Sequence, residues 1–444
     1  MTFIYRDKFH RIAYSTDASI YREMPRAVAY PWFDENIIDL IEQAKEEKTC
    51  LIPRAGGTSI AGQVVGSGIV VDVSRNMNRI LEIDPARKTA TVQPGVVRDE
   101  LNIALKPYGL FFSPETSTSN RCCIGGMMGN NSCGAHSLIY GSTRHHIISA
   151  KGILSDGTKE VFDDKSVYEL EMRFGQDFWK NGSENQALIE KIYSQLINFS
   201  LSDGITKIID ESYPDRDLRR RSCGYAIDEV IEDLRNEDKP FSDRIINLSK
   251  LLTGSEGTLA FITEITVGLD PLPPKEKMMI CAHCKSLNDS FKANLIALDF
   301  NPSAIELMDR PVLKLSEGNI EQQKNRFFLK GDPGAVLCIE LNSHSREELE
   351  EKASEIEKAL MDGEYPSVYH CTRVSDKDIA RVYNLRKAGL GLLNGMKGDA
   401  KPVGVIEDTA VSPERIGYFV RDIQSMLEKL SLSCVFYGHI STGE

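Results

Sequence analysis

The stretch that decides the fold is Pro53-Arg-Ala-Gly-Gly-Thr-Ser59, which directly follows the strand-like run Leu51-Ile-Pro-Arg54. Its glycines and hydroxyl side chains leave successive backbone N–H groups accessible, and such a loop can fold around a phosphate. Gly-rich turns without any ligand are at least as common. The loop also lacks the Gly-Lys-Ser/Thr ending of a P-loop and the spacing of a G-x-G-x-x-G fingerprint. It therefore permits phosphate binding but matches neither common nucleotide motif.

Two further segments rich in glycine and hydrogen-bonding side chains lie downstream. One is Ser113-Pro-Glu-Thr-Ser-Thr118 together with Gly125-Gly-Met-Met-Gly-Asn-Asn-Ser-Cys-Gly134. The other is Gly254-Ser-Glu-Gly-Thr258, which opens into a strand-like run at 259–263. Three such stretches are difficult to explain as turns alone. A long ligand that contacts the backbone in several places would explain them, and a dinucleotide is the natural candidate.

Short β-type runs alternate with helical patterns around these loops. Strands are predicted at 51–54, 69–73, 79–83 and 89–93, and helices at 34–47 and 97–106. The more polar stretch at about 160–250 resembles an insertion with its own helices. Its basic run, Arg216 to Arg221, is either a solvated helix face or a cationic wall of a pocket. The pattern predicts an α+β first domain over 1–270 that includes this insertion.

A composition break falls at Asp270-Pro-Leu-Pro-Pro274, where consecutive prolines favour a stiff connector without regular structure. Beyond it, strands are predicted at 278–283, 335–341 and 367–374, and helices at 287–298 and 346–361. The residues 271–444 therefore form a second predicted α+β domain.

Composition excludes several classes of protein. The 444 residues carry 53 Lys and Arg against 65 Asp and Glu, a net charge of −12 that disfavours nucleic acid as a general partner. The first ten residues lack a signal-peptide core, and no apolar run is long enough to span a bilayer. These features predict a cytoplasmic globular protein. Ten cysteines are too sparse for a disulfide scaffold, so reduced thiols are expected.

Two cysteine groups could suggest metal binding. Cys281-Ala-His-Cys284 has ligand types at tight spacing, but it lies in an apolar strand-like run without a second Cys-x-x-Cys pair. Buried thiols are the favoured interpretation. The spacing of Cys122, Cys123 and Cys133 matches no ferredoxin pattern.

The Gly-rich loops, together with Tyr140-Gly141 and the run Gly254 to Thr263, resemble the FAD-linked oxidases of the vanillyl-alcohol-oxidase (PCMH) type. Within that family the chain is most similar to the D-lactate and glycolate dehydrogenase branch. The resemblance extends from about residue 14 to the end and rests on four motifs in order. It implies an FAD-binding domain of two α+β subdomains followed by an α+β cap domain that binds the substrate.

The resemblance also implies which residues contact FAD. The pyrophosphate would lie against the first loop, the ribityl and isoalloxazine part along the second, and the third would close over the adenine half or the ring. The implied residues are Pro53, Arg54, Ala55, Gly56, Gly57, Thr58, Ser59, Pro114, Glu115, Thr116, Ser117, Gly125, Gly126, Asn130, Asn131, Gly134, Gly254, Glu256, Gly257 and Ile262. Many relatives with covalent flavin have a histidine in the first loop. Ala55-Gly56-Gly57 offers none, which predicts non-covalent FAD.

A 2-hydroxy acid needs cations for its carboxylate and a base or metal for its hydroxyl. Arg386 and Lys401 occupy positions similar to the family's carboxylate-binding segments. A guanidinium can grip a carboxylate with two parallel bonds, and an ammonium adds a point charge. The alternative is that both side chains lie on solvated helix faces.

The run Cys434 to Glu444 predicts an apolar strand that delivers His439 into a Gly-containing turn. A lone histidine there is commonly structural. The family, however, has a second histidine seven positions after the first, which would fall beyond Glu444. The resemblance thus implies that His439 is a catalytic residue and one ligand of an incomplete divalent-metal site, such as zinc. It also leads us to expect a truncated cap domain in a longer protein, with any iron–sulfur cluster outside this chain.

Together these features predict an FAD-dependent dehydrogenase that oxidises a D-2-hydroxy acid, D-lactate-like, to the 2-oxo acid. Electrons would pass to an iron–sulfur or quinone-type acceptor domain or subunit. One alternative is a non-catalytic flavin-binding subunit of an electron-transfer complex. Another is a flavoenzyme of the same fold with a different substrate, for example an enolpyruvyl sugar nucleotide or an ether-lipid precursor. Peripheral membrane association stays open.

Overall fold

The computed structural model describes residues 3–180, 186–221, 224–362, 367–399, 401–404 and 406–444. The chain divides into two compact units. Unit 1 comprises Met1–Ser132, Ser142–Asp215 and Cys223–Leu272. Unit 2 comprises Cys133–Gly141, Arg216–Ser222 and Pro273–Glu444.

The elements follow in chain order. The strands are β1 (Ile4–Tyr5), β2 (Ala27–Ala29), β3 (Leu51–Arg54), β4 (Ile69–Asp72), β5 (Ile80–Asp84), β6 (Thr89–Val92), β7 (Leu110–Phe111), β8 (Ile147–Ile153), β9 (Lys159–Phe162), β10 (Asp164–Ser166), β11 (Ile245–Asn247), β12 (Phe261–Gly268), β13 (Asp270–Pro271), β14 (Glu276–Cys284), β15 (Ala304–Asp309), β16 (Ala335–Ser343), β17 (Val368–Ser375) and β18 (Tyr437–Gly438). The helices are α1 (Lys8–Ala13), α2 (Asp34–Glu46), α3 (Arg98–Leu105), α4 (Ile124–Asn130), α5 (Ser137–Tyr140), α6 (Val167–Phe174), α7 (Leu188–Ser200), α8 (Asp203–Ser212), α9 (Ile227–Val230), α10 (Ser249–Leu252), α11 (Leu287–Leu298), α12 (Arg310–Leu315), α13 (Ile320–Gln323), α14 (Arg346–Met361), α15 (Asp376–Lys387), α16 (Gly389–Asn394) and α17 (Ile416–Lys429).

Unit 1 contains two main sheets. The first has the order β1-β2-β4-β3, in which β2, β4 and β3 run parallel. Its strand β4 is buried throughout, and the apolar stripe of α2, including Ile37 and Leu40, packs in the same core. The second sheet is antiparallel, with the order β5-β6-β12-β8-β9. The first Gly-rich loop leaves the carboxyl end of β3, the edge at which open parallel sheets bind ligands.

The strand and helix predictions for the first 110 residues are confirmed, with shifts of one residue at element ends. The strand predicted at 259–263 instead begins at Phe261. A turn precedes this strand, in which the hydroxyl and the backbone N–H of Thr258 both donate to the Ser255 carbonyl. The stretch at 160–250 contains the helices α6 to α9, and the apolar side of α7, with Tyr193 and Ile197, is fully buried.

Unit 2 is built on one antiparallel sheet of order β17-β14-β16-β15-β18. Apolar residues of α11 and α14 pack on one face of this sheet, and apolar residues of α15 pack on the other. The helices predicted at 287–298 and 346–361 are confirmed at both ends. Ser286 and Ser345 cap them by accepting backbone N–H groups in the first turn.

One prediction in this part of the chain is wrong. Asp270–Pro271 forms a short strand with Leu110–Phe111, so regular pairing continues into the stretch predicted to be an irregular connector. The strand predicted to deliver His439 into a Gly-containing turn is confirmed but short: it covers Tyr437–Gly438, and a 3-10 turn at Ile440–Thr442 follows, ending at Gly443. The overall class, mixed α and β, is as predicted.

Candidate functional site

The parts of the three Gly-rich segments that belong to unit 1 converge there. A Cβ at Gly126 would lie 3.5 Å from the Cβ of Ala55. The backbone N–H groups of Gly254 and Glu256 donate to the carbonyls of Met128 and Gly129, each at 2.9 Å. Loops that are remote in sequence therefore form one continuous surface.

This surface is made mainly of backbone and leaves little room for side chains. A Cβ at Gly56 would lie 2.5 Å from the carbonyl oxygen of Arg121. Gly57 has φ +61° and Gly257 has φ +76°, values that L side chains rarely adopt. Such a glycine-lined cradle lets an extended ligand lie at main-chain distance. The residues present therefore fit FAD.

The remaining predicted FAD contacts lie in several places. Arg54 donates to the Thr16 carbonyl at 2.8 Å and lies over the ring of Tyr14. The carbonyl of Pro114 accepts from Arg98 at 3.0 Å, which fixes the start of the second segment. Ile262 lies in β12 and pairs with Gly152 of β8. Gly134 belongs to the segment Cys133–Gly141 of unit 2.

Arg144 is a functional candidate that the sequence did not indicate. Its buried guanidinium donates to the carbonyls of Thr253 at 2.7 Å and Gly224 at 3.0 Å, and its backbone N–H donates to the side chain of Asn131. It thereby holds the start of the Gly254 loop. Only the fold reveals this role, since no motif surrounds it.

A Ser–His–Asp group lies beside the second segment, but its geometry is not that of a hydrolytic triad. Nε2 of His146 lies 2.9 Å from Ser113 Oγ and 2.8 Å from Asp270 Oδ2. A triad requires the acid on Nδ1 and the serine on Nε2. Here Nδ1 faces the carbonyl of Ser142 at 3.3 Å. The group joins chain segments and offers no activated nucleophile.

A charged cluster in unit 2 contains two of the three predicted catalytic residues. Glu306, on β15, is 1% exposed. Its Oε1 lies 2.5 Å from Nδ1 of His439, and its Oε2 lies 3.0 Å from Nε of Arg386. One buried carboxylate thus holds a histidine and an arginine whose sequence positions are far apart.

Several bonds fix the segment that carries His439. Tyr437 and Gly438 pair with β15, and the N–H of Phe436 donates to Asp309 at 2.7 Å. On the other side, the buried amide of Asn294 donates to the carbonyl of Ile440 at 3.1 Å. His439 is therefore anchored on both sides along the chain.

Arg386 and Lys401 have different surroundings. Arg386 lies on α15 with 13% of its side chain exposed, and its guanidinium stacks over the ring of Tyr437 at 4.7 Å. The solvated-face alternative is wrong for this residue. Lys401 is exposed, and its ammonium donates to the Met396 carbonyl.

A second buried glutamate, Glu340, lies on the neighbouring strand β16. It accepts a hydrogen bond from the Tyr383 hydroxyl at 2.5 Å and pairs with His136 at 3.1 Å. Burial acts to raise the pKa of Glu340, but the hydrogen bonds from His136 and Tyr383 and the charges of His136 and Lys277 outweigh it and lower this pKa. His136 therefore pairs with a carboxylate of unit 2.

The basic run at 216–221 is not a helix in the described residues. Arg220 is 6% exposed, pairs with Asp408 at 3.0 Å and contacts Glu444. Burial raises the pKa of Glu444 well above its usual range, against the opposing effect of Arg220. The guanidinium is thus enclosed by acids rather than solvated.

The metal site implied for His439 finds no ligand set. Within the described residues, no three His, Cys, Asp or Glu side chains are grouped so that they could hold a metal ion.

In the run Cys281-Ala-His-Cys284, both ring nitrogens of His283 contact backbone groups, the His370 carbonyl and the Lys330 N–H. Burial raises the pKa of Cys123 to about 12 and that of Cys133 to about 11, as expected for protonated thiols.

Family models identify the class of protein. Residues 25–162 match the FAD binding domain, and residues 273–444 match the C-terminal domain of FAD linked oxidases. The chain belongs to the FAD-linked oxidases, as the loop motifs predict.

Individual relatives refine this placement. A D-2-hydroxyglutarate dehydrogenase of Pantoea ananatis is 31% identical over 98% of this chain and 41% of its own length. Glycolate oxidase subunit GlcD of Bacillus subtilis is 26% identical over 98% of this chain and 75% of its own length. This chain thus spans about two fifths of the D-2-hydroxyglutarate dehydrogenase that it matches.

Solved structures agree with the fold. An alkyldihydroxyacetonephosphate synthase matches with a TM-score of 0.55 and 15% identity, covering 88% of this chain and 62% of its own. This likeness concerns the fold alone. Across the part of the chain that the structure describes, we find no helix both long and apolar enough to cross a bilayer.

Proposed function

We propose that this protein is an FAD-dependent dehydrogenase that oxidises a D-2-hydroxy acid to the 2-oxo acid. Unit 1 would bind FAD non-covalently and unit 2 would bind the substrate. The observation that carries the proposal is the contact of one buried carboxylate, Glu306, with both Arg386 and His439. An anion-binding group and a proton acceptor are the two functions that a hydroxy acid requires.

Bound FAD would supply the acceptor for the hydride that leaves C2 of the substrate. The three Gly-rich loops of unit 1 would hold it, with the predicted contacts of Arg54 to Ser59, Pro114 to Ser117, Gly125 to Gly134 and Gly254 to Ile262 retained. The run Ala55-Gly56-Gly57 contains no histidine that could bond to the flavin.

The side chains of unit 2 would bind and deprotonate the substrate. The guanidinium of Arg386 would receive the carboxylate, and Lys401 would add a more distant positive charge. Nε2 of His439 would accept the hydroxyl proton as the C2–H bond breaks and the carbonyl forms. This scheme contains no metal step.

The side chain of the acid is a further proposal. D-2-hydroxyglutarate is the first substrate to test, because relatives with that name match 98% of this chain. D-lactate, which the sequence resemblance favours, is the second. We further propose an iron–sulfur acceptor domain or subunit, supported by family resemblance alone. The cytoplasmic location expected from the sequence also stays a proposal.

Anaerobic flavin bleaching tests the proposal. The chain is reconstituted with FAD and mixed separately with D-2-hydroxyglutarate, D-lactate, the L-enantiomers of these two acids, and glycolate, which is achiral. We expect the visible flavin absorbance to fall with at least one D-acid and to stay with the L-acids. Flavin that remains oxidised with every acid would contradict the proposal and favour the non-catalytic flavin-binding subunit.

A further inference from the structure

A short segment that precedes the FAD-binding family match contacts the first Gly-rich loop. The match begins at residue 25, whereas the contacting residues are Tyr14 and Thr16. Arg54, the last residue of β3, donates through Nη1 to the Thr16 carbonyl at 2.8 Å. The centre of its guanidinium lies 5.0 Å from the centre of the Tyr14 ring. Residues outside the matched region therefore hold an arginine of the predicted pyrophosphate loop.

This segment is itself fixed to the chain that follows it. Ser15 is 1% exposed, and its carbonyl accepts the N–H of Glu23 at 2.9 Å. Thr16 pairs with Arg22 in an antiparallel bridge. The backbone on both sides of the Tyr14–Thr16 contact with the arginine is thus ordered by bonds that do not involve the loop.

A buried aspartate anchors the ring of Tyr14. Asp72 ends β4, lies opposite Arg54 in the parallel register and is 4% exposed. Its Oδ2 accepts from the Tyr14 hydroxyl at 2.5 Å, and its Oδ1 accepts from the N–H and the hydroxyl of Ser74 at 2.8 and 2.6 Å. Burial raises the pKa of Tyr14, and the bond to Asp72 acts in the same direction, so the hydroxyl keeps the proton that it donates. The ring is therefore held at its hydroxyl end by the sheet.

The guanidinium of Arg54 has two edges with different surroundings. Among the described residues, Thr16 is the hydrogen-bond partner of its side chain, and it uses Nη1 alone. Nε and Nη2 form the other edge, which lies 3.0 and 2.7 Å from the position that a Cβ would take at Gly57. An arginine edge of this kind can donate two parallel hydrogen bonds to one phosphate. The edge with this capacity is the one beside the Gly-rich loop.

We propose that Tyr14 is a positioning residue for FAD, whose ring holds the Arg54 guanidinium so that Nε and Nη2 can donate to the pyrophosphate. Asp72 fixes the ring in turn. The inference rests on the proposed function only in taking FAD as the ligand. A side chain that is ordered before binding loses less conformational entropy when the phosphate arrives, and this difference increases affinity.

Two substitutions of Tyr14 test the proposal in the full chain. Titration with FAD, followed by flavin fluorescence, gives the dissociation constant. We expect Tyr14→Leu to weaken FAD binding about three- to tenfold, because the ligand must then order Arg54 itself. Tyr14→Phe keeps the ring and loses only the bond to Asp72, so its affinity should lie between those of the wild type and Tyr14→Leu. Wild-type affinity in Tyr14→Leu, or in Tyr14→Phe if the leucine variant does not fold, would overturn the proposal.

Phe241→Leu is the matched control. The guanidinium of Arg244 lies over the ring of Phe241 at 5.4 Å and donates to the Leu234 carbonyl at 2.8 Å, so it resembles Arg54 in its contacts. Neither residue belongs to a Gly-rich segment. Phe241→Leu should lower the free energy of unfolding, measured by denaturant titration, and leave FAD affinity unchanged. Equal losses of FAD affinity in Phe241→Leu and Tyr14→Leu would show that affinity follows general stability and would overturn the proposal.

A double-mutant cycle shows whether Tyr14 acts through Arg54. Arg54→Gln should by itself weaken FAD binding about tenfold or more, because the charged donor edge is lost. Adding Tyr14→Leu to Arg54→Gln should weaken it by less than about twofold further, since the ring then has no guanidinium to hold. A further loss as large as that in the wild-type background would overturn the positioning role.

These titrations do not depend on turnover. A chain that binds FAD but oxidises no hydroxy acid would refute the proposed function, and the cycle would still decide the role of Tyr14. A chain that oxidises an acid while Tyr14→Leu keeps full FAD affinity would refute the positioning role alone. A wild type that binds no FAD would overturn both.

Discussion

The Gly-rich surface of unit 1 and the charged cluster of unit 2 are built by opposite means. In unit 1, backbone groups of three loops approach one another where glycine removes the side chain. In unit 2, one glutamate holds side chains from a helix and from a strand end 133 residues away. A backbone-built site needs glycines at fixed places and so leaves a local sequence pattern. A site built from side chains depends on which strands pair, and its sequence shows no comparable pattern.

We expect the largest effect from Gly57→Ala, which changes the Gly-rich surface of unit 1 and should weaken FAD binding. The new Cβ would lie 2.7 Å from the guanidinium of Arg54, at a φ of +61°. The guanidinium ends a flexible side chain and can move aside, so FAD would lose its predicted hydrogen bond from Arg54. A hydrogen bond from a charged group is worth about 1.5–3 kcal/mol, so we expect FAD to bind about ten- to hundredfold more weakly. Fluorescence titration with FAD measures this.

Gly109→Ala is the control for backbone strain. Gly109 has φ +69°, nearly that of Gly57, but no neighbour within 4 Å of an added Cβ. The Gly109→Ala protein should lose about as much folding stability as Gly57→Ala while keeping its affinity for FAD. Equal losses of FAD affinity in both variants would mean that backbone strain at a positive φ weakens FAD binding, and not the local change at the Gly-rich surface.

The second prediction concerns the charges of unit 2. Burial raises the pKa of Asp309 to about 6, against the backbone hydrogen bonds from Phe436 and Val312 that lower it. Between about pH 4 and 6 the folded chain retains this proton while the unfolded chain loses it. The free energy of unfolding should therefore fall across this window as pH rises, on the order of 2 kcal/mol from this group.

Asp309→Asn removes this contribution, so its stability should fall less over the same window. Denaturant titrations at several pH values measure the difference between the two proteins. A difference that stays constant from pH 4 to pH 6 would contradict the raised pKa of Asp309. Gly57→Ala should leave the slope unchanged, since the unit 1 cradle is formed mainly by uncharged backbone.

The smallest effect is expected from Lys401→Gln. The ammonium is exposed, and exposed charges are screened by salt and contribute less than about 1 kcal/mol. We expect the KM for the hydroxy acid to rise no more than about threefold, against about tenfold or more for Arg386→Lys, which loses the planar fork. If both variants raise KM equally, Lys401 binds the substrate directly and the two cations are equivalent.

Much of the fold could be predicted from local patterns. Strands and helices with clear periodicity or caps were found at nearly their full lengths, as at Leu287–Leu298, where Ser286 begins the helix. Errors arose where a tertiary contact decided the outcome. Asp270–Pro271 is a strand because Leu110–Phe111 lies beside it, and nothing local indicates that partner.

The candidate site divides in the same way. The Gly-rich loops were visible as motifs, and their convergence in unit 1 follows from the fold. Arg386 and His439 could be proposed only through family resemblance, and Glu306 was missed. Its carboxylate acquires meaning only when β15 pairs with β18 and α15 covers the same face of the sheet.

The helix α15 contacts two buried acids of the sheet, Glu340 through Tyr383 and Glu306 through Arg386, one turn apart. Two such attachments prevent rotation of the helix about its own axis. The guanidinium of Arg386 therefore loses its conformational freedom when the chain folds and not when a substrate arrives. Binding of a carboxylate at this arginine should consequently carry a small entropic penalty.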